Sequence, residues 1–139
     1  MRQLKLGLVQ TQLHWENPTA NRAHLESKIE AVASADLIIL PEMFSTGFSM
    51  SSAEHAEEMS GETVSWLANQ AKAHDTAICG SVMVKENGGF YNRFLLFAPH
   101  QDPITYNKRH LFRMADEHQH YTPGSDRIVF ELKGVRICP

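Results

Sequence analysis

Hydrophobic positions change their period several times along this chain, and each change marks an element. In LKLGLVQTQ, Leu4, Leu6 and Leu8 alternate and lead to Gln10, the period-two pattern of a strand. Beyond Asn17 the period becomes helical. Leu25, Ile29, Val32 and Ala33 recur three or four residues apart, so one face packs inward. Asn17 suits the cap of that helix and Pro18 its first position. LIILP then forms a continuous apolar run, as expected of a central strand covered on both faces. Strand, helix and strand in so short a stretch predict a βαβ unit with parallel strands.

The next stretch, FSTGFSMSSAEHAEEMSG, reads as a loop longer than a plain connection needs, and long ordered loops often carry function. ETVSWLANQAKAHDT returns to helical spacing through Val64, Leu67, Ala68 and Ala71. AICGSVMVKENGGFYNRFLLFAP predicts two strands joined by a tight turn at NGG. DPITYNK predicts a further short strand, and SDRIVFELKGVRIC a hairpin-like pair turning near Lys133 and Gly134. Alternation of strand and helix followed by a meander predicts an α/β protein with a mixed sheet. A dinucleotide-binding fold is disfavoured, because no GxGxxG follows the first strand, and no GxxxxGK[ST] occurs.

Composition narrows the function classes. The chain has 139 residues, 42% of them hydrophobic, enough for one small domain with a real core. Its formal net charge is -3 and its 13 Lys and Arg residues are scattered, so nucleic acid is not an expected partner. No window approaches the roughly 20 apolar residues of a membrane span. MRQLKLGLVQ lacks the apolar stretch of a signal peptide. Two cysteines, Cys79 and Cys138, make neither a disulfide framework nor a paired zinc site, so a cytoplasmic, reducing location is expected. Eight histidines are present, and His110, His118 and His120 crowd into KRHLFRMADEHQHYTPG. A metal-binding module is one reading of that cluster. A polar surface loop explains it as well, and no distant ligand pair completes a site.

Four polar positions are candidates for chemistry. Glu42 follows LIILP directly, at the carboxyl end of a central strand, where open α/β sheets place ligands. It suits a general base, or a helix cap, or a solvent-facing loop acid. Lys108 opens a polar loop after ITYN and can stabilise an oxyanion or be an ordinary surface lysine. Glu117 can orient such a lysine or sit in a solvated loop. Arg113 offers a planar fork to a substrate carboxylate, although surface arginines are common. Cys138, between Ile137 and Pro139, reads as a buried core thiol rather than a nucleophile.

These residues stand in segments that resemble the carbon–nitrogen hydrolase, or nitrilase, superfamily. The likeness runs through LGLVQTQLHWENPTANRAHLE, ADLIILPEMFSTGFSM, YNRFLLFAP, YNKRHLFRMADEHQHYTPG and GVRICP, and within the superfamily the chain looks like a bacterial omega-amidase. The resemblance implies a four-layer α-β-β-α sandwich, with residues 1–139 as the amino-terminal half of the domain. It implies a Glu–Lys–Cys triad with a second glutamate, matched here by Glu42, Lys108 and Glu117. The nucleophile of the family lies in a C-Y-D-x-R-F-P type of motif just beyond a stretch like GVRICP, and no CYD occurs in this chain. The expected substrate is a small amide of a 2-oxo dicarboxylic acid, with Arg113 holding its carboxylate and Phe44 and Phe48 as an apolar wall or as core. No cofactor or metal is implied, and the full-length protein is expected to form a homodimer. A non-catalytic fragment that only associates remains the other reading. Glu42 and Lys108 are expected to meet in one cleft at the carboxyl ends of neighbouring strands.

Overall fold

A computed structural model describes residues 3–139. In chain order its elements are β1 (Leu6–Leu8), α1 (Pro18–Ala31), β2 (Leu37–Ile39), α2 (Ser52–His55), α3 (Glu62–Ala73), β3 (Ala77–Glu86), β4 (Gly89–Phe97), β5 (Ile104–Asn107), α4 (Glu117–His120), β6 (Phe130–Leu132) and β7 (Val135–Ile137). The first five strands form one sheet in sequence order. β1, β2 and β3 are parallel, as the helical crossovers require, and β4 runs antiparallel to both β3 and β5. β5 therefore points the same way as β2, so both strands end at the same rim of the sheet.

Local signals place these elements as expected. Asn17 Oδ1 accepts from the Ala20 amide at 3.0 Å, and Pro18 opens α1. Asn87 and Gly88, both at positive φ, make the two-residue turn between β3 and β4. Lys133 and Gly134 do the same between β6 and β7. The loop after β2 is more structured than a plain connection. It contains α2, and Glu57 bridges Val84 at the side of β3.

The sheet is covered differently on its two faces. Ile38 of β2 faces the helices and packs with Leu25, Ile29, Leu67, Ile78 and Leu95. Burying a side chain of that size contributes about 1.5–3 kcal/mol, so this layer holds α1 and α3 on the sheet. Leu37 faces the other way, into a cluster with Cys79, Leu96 and Leu132 of the β6–β7 hairpin, which also takes in Ile39. The apolar run of β2 thus has both faces covered. β1 differs, because its leucines are not its buried side. Leu6 is 50% and Leu8 69% exposed, while Gly7 lies against Val32 and Ala35 at the end of α1. Among the described residues no helix is long and apolar enough to cross a membrane.

Candidate active site

Glu42 is positioned by a sharp exit from β2. Met43 takes a left-handed conformation (φ 48°), which costs a residue with a side chain about 1–2 kcal/mol. The bend is held by hydrogen bonds. The Met43 amide donates to Ser81 Oγ at 2.9 Å and the Phe44 amide to the Ser81 carbonyl at 3.1 Å. It drives Phe44 under the sheet, where the ring lies so close to Gly80 that a Cβ there would stand 2.6 Å from it. Phe44 is fully buried and packs against Trp66 at 5.9 Å between ring centroids. It belongs to the core and is no wall of a substrate site. Glu42, one residue before the bend, is left at the rim.

Lys108 leaves β5 at the same rim. Its amide donates to the Asn92 carbonyl (2.9 Å), and its own carbonyl accepts from the Gly124 amide (2.9 Å). The side chain meets Glu42 Oε1 at 2.9 Å. β2 and β5 are not neighbours, however, since β3 and β4 lie between them. The two side chains meet by reaching across the ends of the intervening strands.

Beneath this pair lies Glu117, fully buried. Asp116 is left-handed (φ 57°) and turns the chain into α4, so the glutamate side chain enters the protein. Its Oε1 accepts from Asn92 Nδ2 at 3.1 Å and from Lys108 Nζ at 3.3 Å. Its Oε2 lies 3.0 Å from Lys108 Nζ and accepts from the Phe112 amide at 2.5 Å. Position alone also allowed a solvated loop acid, and burial with four donor contacts replaces that reading.

The cluster therefore holds one ammonium between two carboxylates. Burial disfavours the charged form of Lys108, but its bonds to Glu42 and Glu117 and their charges outweigh this and hold its pKa above the usual lysine value. Lys108 accordingly stays protonated and acts as a donor rather than a base. Two of its three N–H groups serve the carboxylates, which leaves one for a ligand. Its Nζ also lies 5.1 Å from the centroid of Phe48, an additional attraction for the cation.

The cluster opens into a cleft of about 680 Å³ lined by Glu42, Phe48, Lys108, His110, Phe112 and Arg113, among others. Phe48 and Phe112 stand 6.4 Å apart on its wall. Arg113, in a 3-10 turn, is exposed at the mouth. A smaller pocket of about 200 Å³ on the other side of the pair is lined by Glu42, Ser81, Asn92, Phe94, Tyr106, Lys108 and Pro139. Neither cysteine lines either space. Cys79 sits buried within β3, and burial pushes its thiol up to about 12. Cys138 is exposed and lies just past β7, so the expected buried thiol is not found there. The three clustered histidines do not converge. Among the described residues no three His, Cys, Asp or Glu side chains come together as a metal-ligand set.

Sequence reasoning missed Asn92. It lies in β4 and is 2% exposed, and its Nδ2 reaches Glu42 Oε1 at 2.8 Å as well as Glu117. A signal was present. Asn92 and Arg93 interrupt an otherwise apolar strand, and buried polar side chains demand partners.

With this geometry in place, comparison with known proteins decides the family. A family model described as carbon–nitrogen hydrolase matches residues 5–138. The chain belongs to the carbon–nitrogen hydrolase family. Within that family it is 45% identical over its whole length to an omega-amidase, YafV, of Yersinia enterocolitica. It is 33% identical over 94% of its length to a 2-oxoglutaramate amidase of Bacillus subtilis. It spans about half the length of these relatives, covering 54% and 52% of them. A crystal structure of a hydrolase of this superfamily from Xanthomonas campestris, with an arsenic adduct in its active site, superimposes with a TM-score of 0.95 at 41% identity. It covers all of this chain and 53% of that one. The mixed sheet with flanking helices is thus the nitrilase-type α/β sandwich over the matched part.

Proposed function

We propose that this chain carries the acid–base half of an amidohydrolase that releases ammonia from the omega-amide of a 2-oxo dicarboxylic acid. The observation behind this reading is the pair of Glu42 and Lys108 lining the cleft, with the buried Glu117 bonded to the ammonium from beneath and one N–H of Lys108 left free. The similarity to omega-amidases supports the substrate class.

In the proposed reaction Glu42 takes the proton of an attacking thiol as its sulfur bonds to the amide carbon. The carbonyl electron pair moves to oxygen, and Lys108 stabilises that oxyanion. The intermediate collapses with loss of ammonia, to which Glu42 returns the proton, leaving a thioester. Water, deprotonated by Glu42, then attacks the thioester, and acid and thiol are released. Glu117 acts through Lys108, fixing its position. Arg113 at the mouth is assigned to the distal carboxylate of the substrate, and Phe48 to the apolar stem. The attacking thiol is neither Cys79, buried and strongly disfavoured as thiolate, nor Cys138, which lines neither space. No metal or organic cofactor takes part, and two free thiols suit a cytoplasmic setting.

The test is ammonia release from 2-oxoglutaramate by the full-length gene product, with residues 1–139 alone as a control. Turnover by the former and none by the latter is expected. Glu42→Gln should lose about 10²–10⁴-fold in kcat, and Arg113→Ala should lower kcat/KM for the acidic amide but not for a neutral one. Turnover of nitriles or neutral amides with none of 2-oxoglutaramate would overturn the substrate assignment. Turnover by residues 1–139 that is lost in Cys138→Ala would overturn the assignment of the nucleophile.

A further inference from the structure

We infer that Asn92 is the positioning residue of this site, a single amide that sets both carboxylates for catalysis. The inference rests on the functional reading above. Three observations carry it. Nδ2 of Asn92 donates to Glu42 Oε1 at 2.8 Å and to Glu117 Oε1 at 3.1 Å, so its two N–H groups are divided between the two acids. The Asn92 carbonyl accepts from the Lys108 amide at 2.9 Å, so the same residue also fixes the backbone that carries the lysine. Its side chain is almost fully buried on β4, one of the two strands that lie between β2 and β5. Three functional groups from three separate segments are thereby referenced to one rigid strand.

The chemistry explains why an amide stands there. A carboxylate oxygen only accepts and an ammonium only donates, so neither can bridge two acids and remain uncharged. Lys108 already supplies one positive charge to two negative ones. A second cation would compete with it for Glu42. A neutral double donor aligns the acids without doing so. The assignment of Nδ2 rather than Oδ1 to this side is fixed chemically, because the reversed amide would oppose oxygen to both carboxylates. The charged or titratable groups around Asn92 are Glu42 from the β2 exit, Lys108 from the β5 exit, Glu117 from α4 and Tyr106 of β5, which lines the smaller pocket with it. Beside it on β3 stands Met83, uncharged, whose cluster includes Tyr121. Asn92 does not line the cleft that holds Phe48, Phe112 and Arg113, so its effect on a substrate bound there passes through Glu42 and Lys108.

The test compares Asn92→Ala and Asn92→Asp in the full-length enzyme with 2-oxoglutaramate as substrate. Circular dichroism establishes that each variant is folded. A residue that only filled space would tolerate Asn92→Asp, nearly identical in size, better than Asn92→Ala. The positioning role predicts the opposite order at neutral pH, since the introduced carboxylate faces two others. Asn92→Ala should lose about 10-fold in kcat and Asn92→Asp about 100-fold, the scale of a small misplacement of catalytic groups, with KM within about 2-fold of the parent. As the pH is lowered the introduced carboxyl gains a proton and can donate again. The ratio of Asn92→Asp to parental kcat should therefore rise. If Asn92→Ala fails to fold, the pH-dependent ratio in Asn92→Asp carries the test, and Asn92→Ser, which keeps one donor, should fall between parent and Asn92→Asp. Parental activity in Asn92→Asp, a flat ratio with pH, or a rise in KM with kcat unchanged would each overturn the inference. A parent enzyme that releases no ammonia from any amide would defeat the functional reading itself, and the inference with it.

Discussion

Replacing Glu117 with glutamine changes almost nothing in shape, and the site should still not tolerate it. Both oxygens of Glu117 are acceptors in full use. Oε1 accepts from Asn92 Nδ2 and Lys108 Nζ, and Oε2 accepts from the Phe112 amide and lies 3.0 Å from Lys108 Nζ. An amide must turn its NH2 toward one of these sets. Facing Phe112, it leaves a backbone N–H opposed by another donor, and facing Asn92, it opposes an amide and an ammonium together. An unsatisfied buried group costs about 1–3 kcal/mol, and a lost hydrogen bond to a charged group about 1.5–3 kcal/mol. Relief of the desolvation of a fully buried carboxylate offsets part of this. The net loss for Glu117→Gln is then about 2–4 kcal/mol. Urea denaturation of full-length parent and variant, extrapolated linearly, measures it. A difference within about 0.5 kcal/mol would refute the reasoning, because it would mean that Glu117 is not held by the donors described.

Thiol labelling of residues 1–139 should modify Cys138, which is exposed there, much faster than Cys79, whose thiol burial holds at about 12; equal rates read by mass spectrometry would contradict the packing of β3. Glu86 makes a two-pronged pair with the buried Arg93 guanidinium at 3.1 and 2.9 Å, and the bonds to Arg93 lower its pKa from 4.5. Because the folded value lies below the unfolded one, its contribution is present above about pH 4.5 and is lost as the pH falls through the folded value. Glu86→Gln should therefore flatten the acid side of the stability–pH curve, and an unchanged acid side would show that the pair is solvent-screened.

How much of the site was legible depended on the kind of signal. The exits of β2 and β5 were readable because an apolar or alternating run ending in a charged residue marks a strand leaving the core. Glu42 and Lys108 were singled out as candidates that way, and the structure brings them together. Glu117 was not, on position alone, because nothing in DEHQHY distinguishes an acid that points inward from one that points out. That choice is made by the left-handed Asp116 and by donors that lie far away in sequence or in backbone amides. Phe44 and Phe48 illustrate the same limit. They are four residues apart in one loop, and the bend at Met43 sends the first into the core against Gly80 and leaves the second beside Lys108.

The sequence by itself determined the local elements, since these rest on interactions within a few residues: the Asn17 cap and Pro18 start of α1, the turns at Asn87–Gly88 and Lys133–Gly134, and the doubly covered run of β2. It also carried the family, through motifs spread along the whole length. Only the tertiary structure decided that β1 turns its leucines outward and Gly7 toward α1. The shared rim of Glu42 and Lys108 was expected from sequence, but not that two strands intervene between β2 and β5, or that Asn92 joins the pair. The reason is physical. Periodicity reports which faces are apolar, whereas burial and hydrogen-bond partnership depend on which distant segment arrives to cover a face, and that is set by packing of the whole sheet and its helices.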